Sequence, residues 1–216
     1  MGFKVFDYRT DIQNLVVTPE IRGRFMRMEP GTVAQRHSHD LGHEIFLILE
    51  GQAEFEIEGH REVLGPGQLC FARRDEMHQV RVIGDQPMTL YLSVTPHIEP
   101  THTQWDDQGQ KRPPRYGTWR APGRDGEPDT TTPLPVLVDL QLAAARAVAD
   151  AANALATAQE AQAATLKSAL NREDGAAARA TVDEIWQNLY AFQRKVGDLL
   201  EVWNALAPRA APTRPT

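Results

Sequence analysis

The sequence predicts a mainly β domain followed by an α-helical region, and two changes in residue pattern carry that prediction. Between residues 21 and 95, short apolar stretches alternate with Gly- and Pro-containing turns, which is typical of a β-sandwich or β-barrel. From Leu134 onward, apolar residues recur with helical spacing instead. The stretch between them, residues 96–133, is rich in Pro, Gly, Thr and charge and has little periodicity. We therefore expect a β domain, a connector and a helical region, in that order.

These patterns divide the 216-residue chain into five segments. Residues 1–20 are predicted to form an N-terminal arm or an edge strand. Residues 21–120 are predicted to form the β-barrel and a segment strapped over it, and residues 121–133 a linker. Residues 134–207 are predicted to form a helical hairpin, and residues 208–216 a frayed tail. The aromatic residues expected to hold the strapping segment are Trp105, Tyr116 and Trp119.

Alternation of side chains along a strand predicts which residues face inward. The first strand of the domain covers residues 21–29 and ends at a Pro-Gly turn. In the apolar run that follows His43, alternate residues should lie on opposite faces. The inward residues are Glu44, Phe46 and Ile48, and the outward residues are Ile45, Leu47 and Leu49. Because an apolar outer face needs a cover, a second sheet, a second subunit or the C-terminal helices should lie against it.

The later strands are predicted to be a hairpin and three further strands. Residues 53–58 alternate apolar and Glu side chains, as in a half-buried strand, and the chain is expected to turn at residues 58–61. Residues 68–72, 78–83 and 88–95 complete the set. His78 shares its parity with Val80 and Val82, which places it on an apolar inward face.

Two helices are predicted in the last third of the chain. The first has a seven-residue repeat, interleaved with Val148, Leu155 and Ala169, and its members are Val138, Ala145, Ala152, Gln159 and Leu166. Residues 171–175 break the helix and offer an N-cap for the next one. The second helix has a heptad seam of Val182, Ile185, Leu189, Phe192, Val196, Leu199, Trp203 and Leu206. We expect an antiparallel hairpin that ends at Pro208 and pairs with a second copy or packs on the barrel.

A short histidine-rich stretch between Gly31 and Gly51 organises the β domain. His37 and His39 are two residues apart, so an extended chain presents both side chains on one face, where they can grip one ion. Glu44 follows five residues later, after a glycine that lets the chain bend. Three ligands from so short a segment would make one side of a metal shell.

This stretch matches the first cupin motif, Gly-x5-His-x-His-x4-Glu-x6-Gly, at every specified position. Residues 67–82 resemble the second cupin motif, Gly-x5-Pro-x-Gly-x2-His-x3-Asn. Gly67 and His78 fit that motif, while Arg73 replaces its proline, Asp75 its second glycine and Val82 its asparagine. The departures fall on turn residues and spare the ligand. The resemblance covers roughly residues 20–96.

The cupin resemblance implies a small jelly-roll barrel that binds one divalent transition metal ion through His37, His39, Glu44 and His78. Three imidazoles and one carboxylate leave one or two coordination positions open, as in a catalytic site. The ligand set suits Fe, Mn, Ni, Cu, Co or Zn, and the sequence does not choose among these metals.

Other polar residues are weaker candidates for the site. Gln35 shares the inward parity of His37 and is a candidate catalytic or substrate-binding group, or simply part of a polar lining. His43 should point away from Glu44, as a rim or surface histidine, with substrate contact, acid–base work or metal ligation as alternatives. His97 and His102 lie in a loop with loose spacing, for which surface or packing roles are expected.

Charge and composition exclude several classes of partner. The formal net charge of −6 opposes nucleic-acid binding, and the helical region, with 6 basic and 9 acidic residues, opposes a DNA-reading helix-turn-helix. No apolar run is long enough to span a membrane, and the N-terminus lacks the apolar region of a signal peptide. A cytoplasmic homodimer that binds a small molecule, with no nucleic-acid or membrane partner, is therefore expected. The single cysteine, Cys70, allows no intrachain disulfide.

Two functions follow from this pattern. The first is a mononuclear metalloenzyme acting on a small organic molecule, with dioxygenase-like oxidation favoured over Lewis-acid isomerase, lyase or decarboxylase chemistry. The second is a non-catalytic cupin that binds or senses a small ligand or metal and oligomerises through its helices. A titratable proton donor in the pocket would favour the enzyme, and a wholly apolar lining would favour the binding protein.

Overall fold

The computed structural model describes residues 2–106, 108–117 and 131–211. Trp119 and residues 121–130 of the predicted linker lie outside the described residues. The strands are β1 Asn14–Val17, β2 Arg22–Met28, β3 His43–Glu50, β4 Gln52–Ile57, β5 His60–Leu64, β6 Leu69–Ala72, β7 His78–Ile83 and β8 Met88–Thr95. The helices are α1 Leu134–Asn171 and α2 Gly175–Ala210. The chain divides into two compact units, residues 132–206 and the remainder.

The strands form the predicted jelly-roll from two antiparallel sheets. One sheet has five strands in the order β1-β2-β8-β3-β6, and the other has three in the order β5-β4-β7. Strand β1 comes from the predicted N-terminal arm and is an edge strand paired with β2. The turn between β4 and β5 is tighter than expected, because Glu58 and Gly59 alone form it, both with positive φ, and His60 already begins β5.

The core lies between the two sheets and follows the predicted alternation. In β3, Glu44, Phe46 and Ile48 are buried, and in β7 the same is true of His78, Val80 and Val82. The outer face of the five-stranded sheet carries apolar side chains in β3 and β6, where Ile45, Leu69 and Phe71 are 39%, 55% and 52% exposed. The predicted homodimer is one possible cover for that face and stays a prediction.

The segment after β8, residues 96–117, is here called the strap. Ser38 and Thr103 form an antiparallel bridge, in which the Ser38 N–H donates to the Thr103 carbonyl (3.1 Å) and the Thr103 N–H donates back (2.8 Å). Trp105 Nε1–H donates to Ser38 Oγ (3.0 Å), so this aromatic residue anchors the strap as predicted. The strap therefore lies against the extended segment that contains His37 and His39.

The two helices form an antiparallel pair joined by residues 172–174. The Asp174 carboxylate accepts a hydrogen bond from the Ala177 N–H (3.0 Å) and caps α2 as predicted. Across the pair, the Gln162 amide donates to the Glu184 carboxylate (3.4 Å). No helix in the described ranges combines the length and apolarity that crossing a bilayer requires.

Two predictions about the helices were wrong in detail. In the first half of α1, Val138, Ala145 and Ala152 are exposed, and the sheltered stripe begins one residue earlier, at the buried Leu137. The other predicted members are sheltered as expected: Val148, Leu155, Gln159, Leu166 and Ala169. Runs of alanine make both stripes equally apolar in the sequence, so periodicity alone could not choose between them. Pro208 does not end α2, because it removes only its own backbone donor and the Ala211 N–H still bonds the Ala207 carbonyl (2.9 Å).

Candidate metal centre

Four side chains meet at one end of the jelly-roll. His37 and His39 come from the extended segment before β3, Glu44 is the second residue of β3, and His78 is the first residue of β7. The backbones of His37 and His78 exchange two hydrogen bonds, of 3.1 and 2.8 Å, which sets these histidines side by side. One potential ligand atom from each of the four residues lies within 4.8 Å of the others, so the cluster could hold a metal ion.

Each imidazole is oriented by a backbone carbonyl. Nδ1 of His37 lies 2.8 Å from the Gln35 carbonyl oxygen, and Nδ1 of His78 lies 2.9 Å from the Glu76 carbonyl oxygen. Nδ1 of His39 contacts the carbonyl oxygen of Thr101, in the strap. Because a carbonyl can only accept, each Nδ1 must carry the proton and donate it. In the neutral ring, each Nε2 then presents a lone pair, which is the form that binds a metal.

These three Nε2 atoms converge on one carboxylate oxygen. Glu44 Oε2 lies 2.9 Å from His39 Nε2, 3.0 Å from His78 Nε2 and 3.8 Å from His37 Nε2. Lone pairs and a carboxylate oxygen repel each other unless a cation, either a proton or a metal ion, lies among them. Within the described residues, His37 Nε2 is also buried without a hydrogen-bond partner. The donor set therefore fits a metal ion.

Burial and the neighbouring charges shift the pKa values of the residues in the cluster. Burial would raise the pKa of Glu44, but the neighbouring His39 and His78 hold it well below its usual range. Burial, with His78 next, lowers the pKa of His37 to about 4. For His78, burial is outweighed by the hydrogen bond and charge of Glu44, and the pKa is raised. At neutral pH we therefore expect Glu44 to be ionised and His37 to be neutral.

The stability of the metal-free protein should depend on pH through His37. Because folding lowers the pKa of this residue from 6.5 to about 4, the unfolded chain binds a proton between these values while the folded chain does not. The free energy of unfolding is expected to fall as the pH drops from 6.5 towards 4, by up to about 3 kcal/mol from this group. Urea unfolding with chelator at pH 7 and pH 5 would measure the loss. His37→Gln should show a smaller loss than the wild type, and equal losses would contradict the assignment.

A fourth histidine, from the strap, lies beside the cluster, which the sequence did not indicate. The ring centroid of His102 lies 4.7 Å from that of His37 and 5.0 Å from that of His39. Its Nδ1 lies 2.9 Å from Thr101 Oγ1. Burial, followed by the charges of His37 and His39, lowers its pKa well below the usual value. Of the expected surface or packing roles, the structure gives His102 a packed position, and it places the ring beside two candidate metal ligands.

The two weaker candidates lie at the surface. The side chain of Gln35 is exposed, and its Oε1 accepts a hydrogen bond from the Gln104 amide (3.0 Å), while its backbone carbonyl orients His37. His43 is exposed as well, and its Nδ1 accepts from the Arg74 N–H (3.2 Å). His97, in contrast, is fully buried, so it has a packing environment and not a surface one.

The altered second motif still builds a tight turn before His78. Asp75 takes the position of the motif's second glycine with φ of +65°, a conformation that Asp tolerates better than most residues. The Glu76 carboxylate accepts from the Arg73 N–H (2.8 Å), and the Asp75 N–H donates to the His39 carbonyl (2.8 Å). This turn therefore connects the second motif directly to the first.

Comparisons with known proteins agree with this architecture. Residues 24–95 match the sequence model of the family described as "Cupin domain". Among curated proteins there is no significant match. Similar solved structures include an uncharacterized conserved protein with a double-stranded beta-helix domain from Klebsiella pneumoniae, at 18% identity and a TM-score of 0.42, covering 44% of this chain and 91% of that one.

Two further solved structures are similar to part of the chain. KdgF from a Halomonas species is 23% identical with a TM-score of 0.37, and the match covers 39% of this chain and 77% of that one. The DMSP lyase DddQ from Ruegeria pomeroyi is 30% identical with a TM-score of 0.34, and the match covers 36% of this chain and 39% of that one. Because these scores are low, the assignment rests on the family match and the observed jelly-roll. Residues 24–95 therefore form a cupin domain, which the chain extends with two C-terminal helices.

Proposed function

We propose that the protein is a mononuclear metalloenzyme that binds one divalent transition metal ion per chain and acts on a small organic molecule. The observation that carries this proposal is the convergence of three imidazole Nε2 atoms on one carboxylate oxygen, a donor set that fits a metal ion. The ligands are His37, His39, Glu44 and His78.

The protein contributes pre-oriented imidazoles, one carboxylate and a sheltered site. The backbone carbonyls hold the imidazoles in place before the ion arrives, which lowers the cost of binding it. The single carboxylate leaves one net positive charge on a divalent ion. When bound, the ion supplies a position where dioxygen and substrate can meet, or a Lewis acid that polarises a substrate carbonyl.

The presence of His102 favours an enzyme over a non-catalytic binding protein. With its pKa held well below the usual value, His102 is a neutral imidazole that offers an N–H donor and a lone pair beside the ligands, which a wholly apolar lining would lack. His102 also lines a cavity of about 390 Å³, a volume in the range of small-molecule sites. Dioxygenase-like oxidation is the first reaction class to test, and Lewis-acid chemistry is the second.

The open coordination position can be tested without knowing the substrate. We expect the visible absorption spectrum of cobalt(II)-loaded protein to change when azide is added, because azide can replace a bound water. An unchanged spectrum would mean a closed, structural site and would overturn the enzyme proposal. Oxygen uptake measured against small organic molecules, with matched anaerobic incubations, then separates the two reaction classes. Oxidation requires oxygen, whereas Lewis-acid turnover continues without it.

A further inference from the structure

A cavity formed mainly by strap residues lies beside the candidate metal centre and has its own charged lining. It measures about 390 Å³, and its walls include His102 and three prolines, Pro100, Pro113 and Pro114. The His102 ring lies against those of His37 and His39, and the same residue lines the cavity. A molecule in the cavity would therefore be one side chain away from the metal ligands.

The carboxylate in the cavity wall, that of Asp40, already has hydrogen-bond and ion-pair partners. Asp40 accepts hydrogen bonds from Lys111 Nζ (2.8 Å) and from Thr103 Oγ1 (2.6 Å). Lys111 Nζ also lies 3.6 Å from the carboxylate of Asp75, which is outside the lining. Lys111 is thus held between two carboxylates, so neither Lys111 nor Asp40 offers a free charge to a ligand.

Arg112 is the cation of the lining that remains available. Its backbone is fixed, because its N–H donates to the Gln104 carbonyl (2.7 Å) beside the bridge between Trp105 and Lys111. Its guanidinium is exposed and forms no ion pair with any residue in the described ranges. A guanidinium presents paired N–H donors whose geometry matches a carboxylate.

We propose that this cavity, whose lining includes His102 but none of the four candidate ligands, takes a small organic molecule with a carboxylate group beside the metal centre, and that Arg112 binds the carboxylate. The prolines pack against the apolar body of the molecule, and His102 contacts the end that faces the metal ligands. This substrate class rests on the proposed function, since the carboxylate site is useful for catalysis only if the neighbouring cluster holds a metal.

Pairs of probes that differ only in charge test the carboxylate site. Benzoate and butyrate would be titrated by ligand-observed NMR against benzamide and butyramide, using full-length protein. We expect both carboxylates to bind, and Arg112→Gln to weaken them by about tenfold or more while leaving the amides unchanged. Arg115→Gln is the matched control, because this neighbouring arginine does not line the cavity, and it should bind like the wild type.

The same titration on chelator-treated and cobalt(II)-loaded protein separates this inference from the proposed function. We expect paramagnetic broadening of the bound carboxylates in the cobalt-loaded protein, because the cavity borders the metal cluster. Absence of carboxylate binding to the wild type, equal affinity for the amides, or no effect of Arg112→Gln would overturn the carboxylate site. If binding depends on Arg112 but no metal is retained, the metalloenzyme proposal fails and the carboxylate site stands.

Discussion

Replacing Glu44 by glutamine is expected to lower the affinity for a divalent metal ion by about a hundredfold or more. Glu44 is 3% exposed, and its carboxylate is the only anionic group in the cluster of four candidate ligands. The amide keeps the shape of the side chain but removes the negative charge that neutralises a buried cation. Removing one partner of a buried ion pair costs roughly 3–5 kcal/mol. Isothermal titration of the chelator-treated protein with zinc would measure the change.

The matched control for this substitution is Glu62→Gln. Glu62 is an exposed glutamate of β5, and it is not part of the cluster. Its replacement should leave zinc affinity within about twofold of the wild type, since an exposed charge at a distance is largely screened. An equal loss in both variants would point to a general charge effect, and no loss in Glu44→Gln would remove this residue from the ligand set.

Phe46→Ala should destabilise the cupin domain by about 3–5 kcal/mol. Phe46 is 3% exposed, and its ring centroid lies 5.1 Å from that of Phe55 on the opposite sheet and 5.7 Å from that of His78. The substitution removes contacts across the core and leaves a cavity beneath a candidate metal ligand. Urea unfolding of the metal-free protein would measure the loss.

Phe71→Ala serves as the comparison for the core substitution. Phe71 is in β6, the neighbour of β3, but it lies on the outer face and is 52% exposed. Its replacement is expected to cost less than about 1 kcal/mol, because little apolar surface returns to water. Comparable losses for the two variants would contradict the inward and outward faces assigned to this sheet.

Much of the fold could be predicted from the sequence because strand periodicity and turn chemistry agree in the β domain. Alternation placed Glu44 and His78 on inward faces, and the spacing of the first motif brought His37 and His39 to the same end. The turn before His78 could not be predicted, because Asp75 occupies a backbone conformation that the cupin motif assigns to glycine. The structure forms this turn with hydrogen bonds from side chain and backbone instead.

The position of His102 could not be predicted, because it depends on how the strap folds back. Loops have no periodicity to show which residues face a site, and the bridge between Ser38 and Thr103 joins segments distant in the sequence. Trp105 was the available signal, since a large aromatic residue in a polar segment indicates an anchoring point. The exposed side chain of Gln35 has a similar explanation. Residues 33–38, between β2 and β3, form isolated bridges and no continuous strand, so strict alternation does not hold in this segment.

The central claim is that the histidine–glutamate cluster binds one metal ion, and elemental analysis tests it most directly. Untagged protein would be stripped, reloaded separately with Fe, Mn, Ni, Cu, Co and Zn, and analysed beside His37→Ala/His39→Ala and the control His43→Ala/His60→Ala. Both double variants lose two histidines, but the control residues are exposed and outside the cluster. We predict about one ion per chain in the wild type and the control, and almost none in the cluster variant. Equal metal content in both double variants, or no metal in the wild type with any of these ions, would contradict the claim.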